Sequence, residues 1–285
     1  MAKLWVLGSP ACDIVFQLKC MPAPGDLAGG RWLGERPGGS SANIARALSS
    51  AGHDVGMIGW LGNDVRGNRL VEDLERWEVN TQYIARAETC TPKALIFLDE
   101  DGERTIVVVS SGIVPELKVP YSELSSADCV FIWDYHVCDE QVVACLRDSQ
   151  ALVVSSVPPS ESGQKWMAHV IIGSAAQYPD PWLEAPFERA REAVGPELQW
   201  VIVTHGEQGA TAYGVGGIVH IPAVPVHQVD TTGGGDAFAA GVVHGLLDGR
   251  DILEAGVLGA RWGAEAVRRV QSVPPSWEEV FPGKE

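Results

Sequence analysis

The sequence predicts an α/β fold: a three-layer α/β/α sandwich around a mostly parallel central sheet, with a small β-sheet lid. Two observations predict it. Short apolar runs of β type alternate with segments of helical spacing along most of the chain, as parallel strands covered on both faces require. Two regions, about 11–34 and 92–110, break that alternation and together would form a second, smaller sheet. The chain has 285 residues, near the upper limit for one hydrophobic core, so a single domain over 1–285 carrying that lid is expected.

Taken in order, residues 4–7, 55–60, 130–133, 152–154, 170–172 and 200–204 read as buried strands. Between them, 41–51, 65–77, 139–147 and 187–194 have the spacing of helices. Residues 93–98 and 104–109 flank Asp99-Glu100-Asp101-Gly102-Glu103 as the arms of a hairpin do. Gly214-Val215-Gly216-Gly217 also lies between β-like runs and reads as a turn rather than a binding loop. Open α/β sheets bind ligands at the carboxyl ends of their strands, so the lid is expected to cover that edge.

Composition narrows the function classes. Asp and Glu number 37 against 21 Lys and Arg, a net charge of −16, which repels polyanions and argues against a nucleic-acid partner. A small phosphorylated ligand remains compatible, because backbone amides and one or two local cations bind phosphate without a basic surface. The sequence has no apolar run of about 18 residues, so no membrane span is expected. Cys12, Cys20, Cys90, Cys129, Cys138 and Cys145 form no CxxC pair and no metal-ligand spacing, as expected of reduced thiols. The N-terminus runs from Met1-Ala2-Lys3 straight into a short apolar strand, which is too short for a secretory signal; a cytoplasmic location is expected.

The chemistry concentrates after a strand-like segment at 224–229, in Asp230-Thr231-Thr232-Gly233-Gly234-Gly235-Asp236, which opens a helix of small residues from Ala237. Three glycines before a helix leave amides bare and let another backbone or ligand approach closely. Those amides and the helix dipole suit the charge on a transferring phosphoryl group. Asp236 falls in the first turn, where a carboxylate can take the proton of an attacking hydroxyl. The plainer alternative is a helix cap, since Asp is a preferred capping residue. Asp13 follows the first strand at the ligand end of the sheet and either binds vicinal hydroxyls or is a solvated loop acid.

The string DTTGGGDAFAAG resembles the second motif of the ribokinase, or PfkB, carbohydrate kinase family, written DTTGAGDxF. Gly38-Gly39-Ser40-Ser41-Ala42-Asn43-Ile44-Ala45 is similar to its first motif, GGxxxNxA. Further matches follow in order along essentially the whole chain: Gly8 to Asp13 with the first strand, Pro24-Gly25-Asp26 with a PGE turn, and Gly62 to Gly67 with GxDxxG. Asp99 to Thr105 resembles the DxDGER lid hairpin, and Thr204 to Gly209 the TxGxxG nucleotide loop. The resemblance implies a ribokinase-like fold and ATP-dependent phosphorylation of a primary hydroxyl of a sugar. Asp236 would be the base, with Gly233, Gly234 and Gly235 as the anion hole. Asp13, Gly38, Gly39 and Asn43 would bind the sugar, joined by Arg104 and Asp134. Thr204, Gly206, Gly209 and Thr232 would bind ATP. Mg²⁺ is implied as cofactor, K⁺ is a further candidate with Asp230 as its ligand, and a homodimer would pair through the lid.

The sequence also departs from the family. Ser174 and Gln177 stand where an NxxE element is expected, and Gln177 adds no negative charge toward a hard cation. Residues 154–159 lack the family's DxNxR-like strand end, and 268–274 lack its Gly-Ala pair. Ala11 replaces a polar residue of ribose-specific relatives, and Trp133-Asp134-Tyr135-His136 lies where another sugar-contacting acid is expected. Asp134 and His136 either contact a polar substituent or are exposed loop residues, and Arg104 is either a sugar contact or a solvated hairpin charge. The pattern points away from ribose toward a ketose, an aminated or acidic sugar, or a nucleoside. Two other functions stay open: a nucleoside kinase of the same family, and a sugar- or nucleotide-binding protein with impaired catalysis. A nicotinamide-dependent oxidoreductase is disfavoured, because Gly8-Ser9-Pro10-Ala11 is not GxGxxG.

Overall fold

Leu4 and Val6 bury in one hydrophobic cluster and Trp5 and Leu7 in another, so the first strand is covered on both faces, as its unbroken apolar run requires. The computed structural model describes residues 1–99, 104–109, 114–134, 138–156, 166–178 and 180–283. The chain begins β1 (Lys3–Leu7), β2 (Ala11–Leu18), β3 (Gly30–Gly38), α1 (Ser40–Ser50), β4 (Asp54–Gly62), α2 (Val65–Arg76), β5 (Asn80–Ala87), β6 (Lys93–Leu98) and β7 (Arg104–Val109). It continues through α3 (Tyr121–Ser125), β8 (Cys129–Ile132), α4 (Glu140–Arg147), β9 (Leu152–Ser155), β10 (Val170–Ser174), α5 (Asp180–Leu183), α6 (Pro186–Val194) and β11 (Trp200–Thr204). The last elements are β12 (Ala210–Gly214), β13 (Gly217–Ile221), α7 (Gly234–Leu247), α8 (Ile252–Ala266) and α9 (Trp277–Val280).

Nine strands form the main sheet in the order β13-β12-β11-β10-β9-β8-β1-β4-β5. Every pairing is parallel except those of the β11-β12-β13 meander. Side chains of α1, α7 and α8 pack on one face, and those of α4 and α6 on the other. The chain leaves β1 toward β4 on one side and β8 on the other, so a crevice opens at the carboxyl end of β1. Helix starts are fixed by local caps: Asp64 accepts from the Gly67 amide, Asp139 from Val142 and Asp251 from Glu254. The helices α1 and α7 are different, having glycine N-caps and no side-chain cap.

The lid is a four-stranded sheet, β3-β2-β6-β7, around the small core of Val15, Ile96 and Leu98. The strand β3 runs on to Gly38, beyond the expected limit at 34, so the lid leads directly into the first motif. Both outer strands carry exposed apolar residues, Trp32 on β3 and Val108 on β7, where an expected homodimer would pair.

Some expectations change. Residues 80–87, given no element from sequence, form the edge strand β5. Residues 224–229, expected as a strand, pair with no other strand; Pro222 and Pro225 lack the amide protons a ladder needs, and the chain leaves the sheet after Ile221. The hairpin turn 100–103, Tyr135, His136 and residues 157–159 lie outside the described residues. All six cysteines are free, and among the described residues no helix is long and apolar enough to cross a membrane.

One polar contact links the chain start to α7. His53 accepts from the Ala2 amide through Nδ1 at 3.3 Å, which places its proton on Nε2, facing His244 Nδ1 at 2.9 Å. Burial, then the neighbouring His244, holds the His53 pKa down to about 4. The unfolded chain therefore binds a proton that the fold refuses, and this contribution to stability is lost as pH falls from about 6.5 toward 4. In His53→Gln the melting temperature should be lower at pH 7.5 but should fall less between pH 7 and 5 than in the unaltered protein. An equal fall in both proteins would show that the pair does not couple folding to pH.

Candidate active site

The site forms where the lid strand β3 runs into α1 and where the segment after β13 enters α7. Asp13, on β2, pairs in register with Arg36 on β3, and its side chain is 3% exposed. Gly38 makes room for it: a Cβ there would lie 2.2 Å from the Asp13 carboxyl carbon. Gly39 turns the chain into α1 with φ +85°, and a Cβ there would lie 2.6 Å from the Ala11 amide nitrogen. Both glycines are therefore required by packing against the β1–β2 turn and the acid that follows it. Burial raises Asp13 to about 6, against the lowering charges of Arg36 and Arg46 and with a raising one from Asp236.

Asn43 and Asp236 meet, although 193 residues separate them. The Asn43 Nδ2 donates to Asp236 Oδ2 at 2.8 Å. Burial raises the pKa of Asp236, while Asn43, the Ser40 hydroxyl, Arg104 and Arg46 act in the opposite direction. Asp236 is therefore a carboxylate of raised basicity in the first turn of α7. The alternative role, a side-chain cap of that helix, is not the one it plays here, since α7 has no side-chain cap.

The three glycines before Asp236 are not equivalent. Gly233 is left-handed, φ +79°, and a Cβ would lie 2.4 Å from the Ser272 carbonyl oxygen. Gly234 packs on Val267, whereas Gly235 is exposed and a Cβ there would meet nothing within 4 Å. The first intrahelical bond of α7 runs from the Ala237 amide to the Gly233 carbonyl; before it the Gly234 amide reaches the Thr231 carbonyl at 3.4 Å, while those of Gly235 and Asp236 have no backbone acceptor among the described residues. Just before them, Thr232 is buried and its hydroxyl has no protein partner among the described residues.

Asp230 is fully buried and already engaged. Its Oδ1 accepts from the Thr232 amide at 2.9 Å and its Oδ2 from Arg36 Nη2 at 2.9 Å. Arg104 opens β7 and is exposed, yet its charge is felt at Asp236. Asp134 follows β8, with its amide bonded to the Leu7 carbonyl, beside the end of β1. The other sequence candidates occupy a separate rim after β11. Thr204 donates to the Gly173 carbonyl at 3.4 Å, and the turn from Gly206 (φ +58°) to Gly209 (φ +87°) closes with the His205 amide on the Gly209 carbonyl at 2.7 Å. Next to it, Gln177 Oε1 accepts from the Ser174 amide and Ser174 Oγ from the Ala176 amide, so both replaced residues are occupied in capping a short turn.

Sequence reading missed Arg36, Arg46 and Asp73. One signal was available: Arg46 interrupts the small and apolar run 44–48 of α1, and the structure buries it completely. The difference among the glycines is testable. Gly235→Ala should keep the melting temperature within about 2 °C, because alanine is favoured over glycine in helices, while slowing phosphoryl transfer at least about tenfold. Gly233→Ala should lower the melting temperature, since alanine strains a left-handed position and meets backbone. Equal thermal and kinetic effects at the two positions would refute the distinction.

The chain is similar to known proteins over most of its length. The chain is 28% identical over 263 residues to an ATP-dependent ribose-1-phosphate kinase of Halopiger xanaduensis, covering 90% of this chain and 88% of that protein. It is 28% identical over 261 residues to a ribokinase of Bacillus subtilis, covering 88% of each. The solved structure of a ribokinase from Thermotoga maritima superposes with a TM-score of 0.79 at 22% identity, covering 98% of both chains. The pfkB family carbohydrate kinase profile matches residues 1–279. With its two motifs folded into one crevice and that profile spanning nearly its whole length, the chain belongs to the pfkB family of carbohydrate kinases.

Proposed function

We propose that this carbohydrate kinase moves the γ-phosphoryl group of ATP to a primary hydroxyl of a sugar or sugar-like substrate, with Asp236 as the base. The observation that supports this best is the carboxylate of raised basicity beside bare amides at the start of α7. The acceptor oxygen attacks the γ-phosphorus, its proton passes to Asp236, and the bond to the β-phosphate oxygen breaks to release ADP. The amides of Gly233 and Gly235 face the charge that develops on the transferring group, and that of Gly234 joins them by giving up its long bond to the Thr231 carbonyl. Asp13 and Asn43 hold sugar hydroxyls above Gly38 and Gly39, and Arg104 and Asp134 approach the sugar from the lid and from β8. Thr204, Gly206, Gly209 and Thr232 take the nucleotide.

Magnesium arrives with the nucleotide in this reading. Among the described residues no group of three or more His, Cys, Asp or Glu side chains could hold a metal ion, and Gln177 has its carbonyl on a backbone amide. Once bound, the ion would neutralise charge on the phosphates. A nucleoside acceptor remains the second reading. A binding protein without catalysis is the weaker one, because a sensor needs no base at the anion site.

Asp236→Asn should lower turnover by at least about 10²–10⁴-fold while ATP still binds. Coupled ADP release across pentoses, ketohexoses, sugar acids, amino sugars and nucleosides provides the assay. Near-normal turnover in the variant would remove the assignment, and silence of the unaltered protein across the whole panel would favour the binding-protein reading.

Potassium at Asp230 does not fit the residues present. Arg36 already supplies the positive charge on that buried carboxylate, and the Thr232 amide takes the other oxygen, so a cation would have to displace the guanidinium. Turnover is therefore expected to be the same in sodium and potassium salts at equal ionic strength. A saturable several-fold activation by potassium would reverse this reading.

A further inference from the structure

Arg46 lies one turn beyond Asn43 on α1, with its side chain 0% exposed. A buried guanidinium is costly unless charge and hydrogen bonds meet it. Here Nε donates to Asp73 Oδ2 of α2 at 2.7 Å, Nη2 lies 2.7 Å from the same oxygen, and Nη1 donates to Asn43 Oδ1 at 3.1 Å. A guanidinium only donates, so the oxygen end of the Asn43 amide must face it. The amide nitrogen is left pointing at Asp236 Oδ2, 2.8 Å away. Reversing the amide would put NH₂ against the guanidinium and a carbonyl against the carboxylate, two repulsive contacts in place of two bonds.

We propose that Arg46, held by Asp73, is a positioning residue for phosphoryl transfer: it fixes Asn43 so that its NH₂ group faces Asp236 and its oxygen does not. The assignment rests on Asp236 being the base. Its consequence is a carboxylate whose Oδ2 is held as an acceptor by Asn43, so that the acceptor hydroxyl is met on its other side, where the Ser40 hydroxyl is its rival donor. The groups that face Asp236 come from every element around it: Asn43, Ser40 and Arg46 from α1, Arg104 from β7, and Asp13 from β2. Of these, Arg46 reaches Asp236 by two routes, its own charge and the orientation of Asn43, and its charge also opposes the protonation of Asp13.

The test needs no knowledge of the sugar. In protein labelled with ¹³C at aspartate carboxyls, the Asp236 signal is identified by its loss in Asp236→Asn, and its titration is followed in the unaltered protein, Arg46→Met and Arg46→Lys. In Arg46→Met the Asp236 midpoint should rise by about one pH unit. Turnover should fall about 10- to 100-fold, with KM for ATP changed less than about twofold. Lysine keeps the charge but lacks the planar fork that serves Asp73 and Asn43 together, so Arg46→Lys should show a smaller rise in the same direction. That variant also provides the reading if Arg46→Met fails to fold. An unmoved Asp236 midpoint, with only the melting temperature lowered, would overturn the proposal and leave Arg46 as packing. If Asp236→Asn itself remained active, the assignment of the base would fall instead, whatever Arg46 does to the titration.

Discussion

The hydrogen bond between Asn43 and Asp236 is the contact on which the site depends, because it joins the N-termini of α1 and α7 across the crevice at the end of β1. Each helix brings one half of the chemistry. In the proposed reaction the first would supply the sugar side through Gly38, Gly39 and Asn43, and the second the phosphoryl side through its glycines and Asp236. Both start on glycine rather than on a capping side chain. A Ser or Asp cap would satisfy first-turn amides internally, whereas here no side chain takes them and, in α7, only the Gly234 amide of those before Ala237 has a backbone acceptor, the Thr231 carbonyl.

Burial of charge is the cost of this arrangement, and the fold offsets it with pairs drawn from distant elements. Asp230 is met by Arg36 of the lid, and Arg46 by Asp73 of α2. Adjacent residues of β3 point to opposite faces, so Glu35 instead meets Arg66 at the start of α2. The base of the lid is thus anchored by two ion pairs in different directions, immediately before the chain enters Gly38 and Gly39. A lid attached in this way sets the position of the first motif.

Where the chain departs from the family pattern, it remains locally self-consistent. Ser174 and Gln177 replace the expected Asn and Glu, yet they form a complete capping box with their own backbone. The turn after β10 is thereby kept without its acidic group. The residues at these two positions carry no charge, and the turn beside the 204–209 loop is closed by their own hydrogen bonds.

The sequence by itself determined the strands at the sandwich's centre, the two motifs and an acid at the start of α7. These are local signals: apolar runs covered on both faces, glycines ahead of a helix, and an acid in its first turn. It also singled out Asp13 and Asn43, because each lies within a few residues of a strand end or a glycine turn. It did not give β5, whose exposed edge lacks an unbroken apolar run, and it took residues 224–229 for a strand although prolines keep them from pairing. Only the tertiary structure decided that Gly235 is open while Gly233 is wedged against Ser272, that Arg36 occupies Asp230, and that Arg46 orients Asn43. The reason is distance along the chain. Arg36 and Asp230 are 194 residues apart and Arg46 and Asp73 are 27 apart, and no periodicity within one segment encodes which buried charge will meet which.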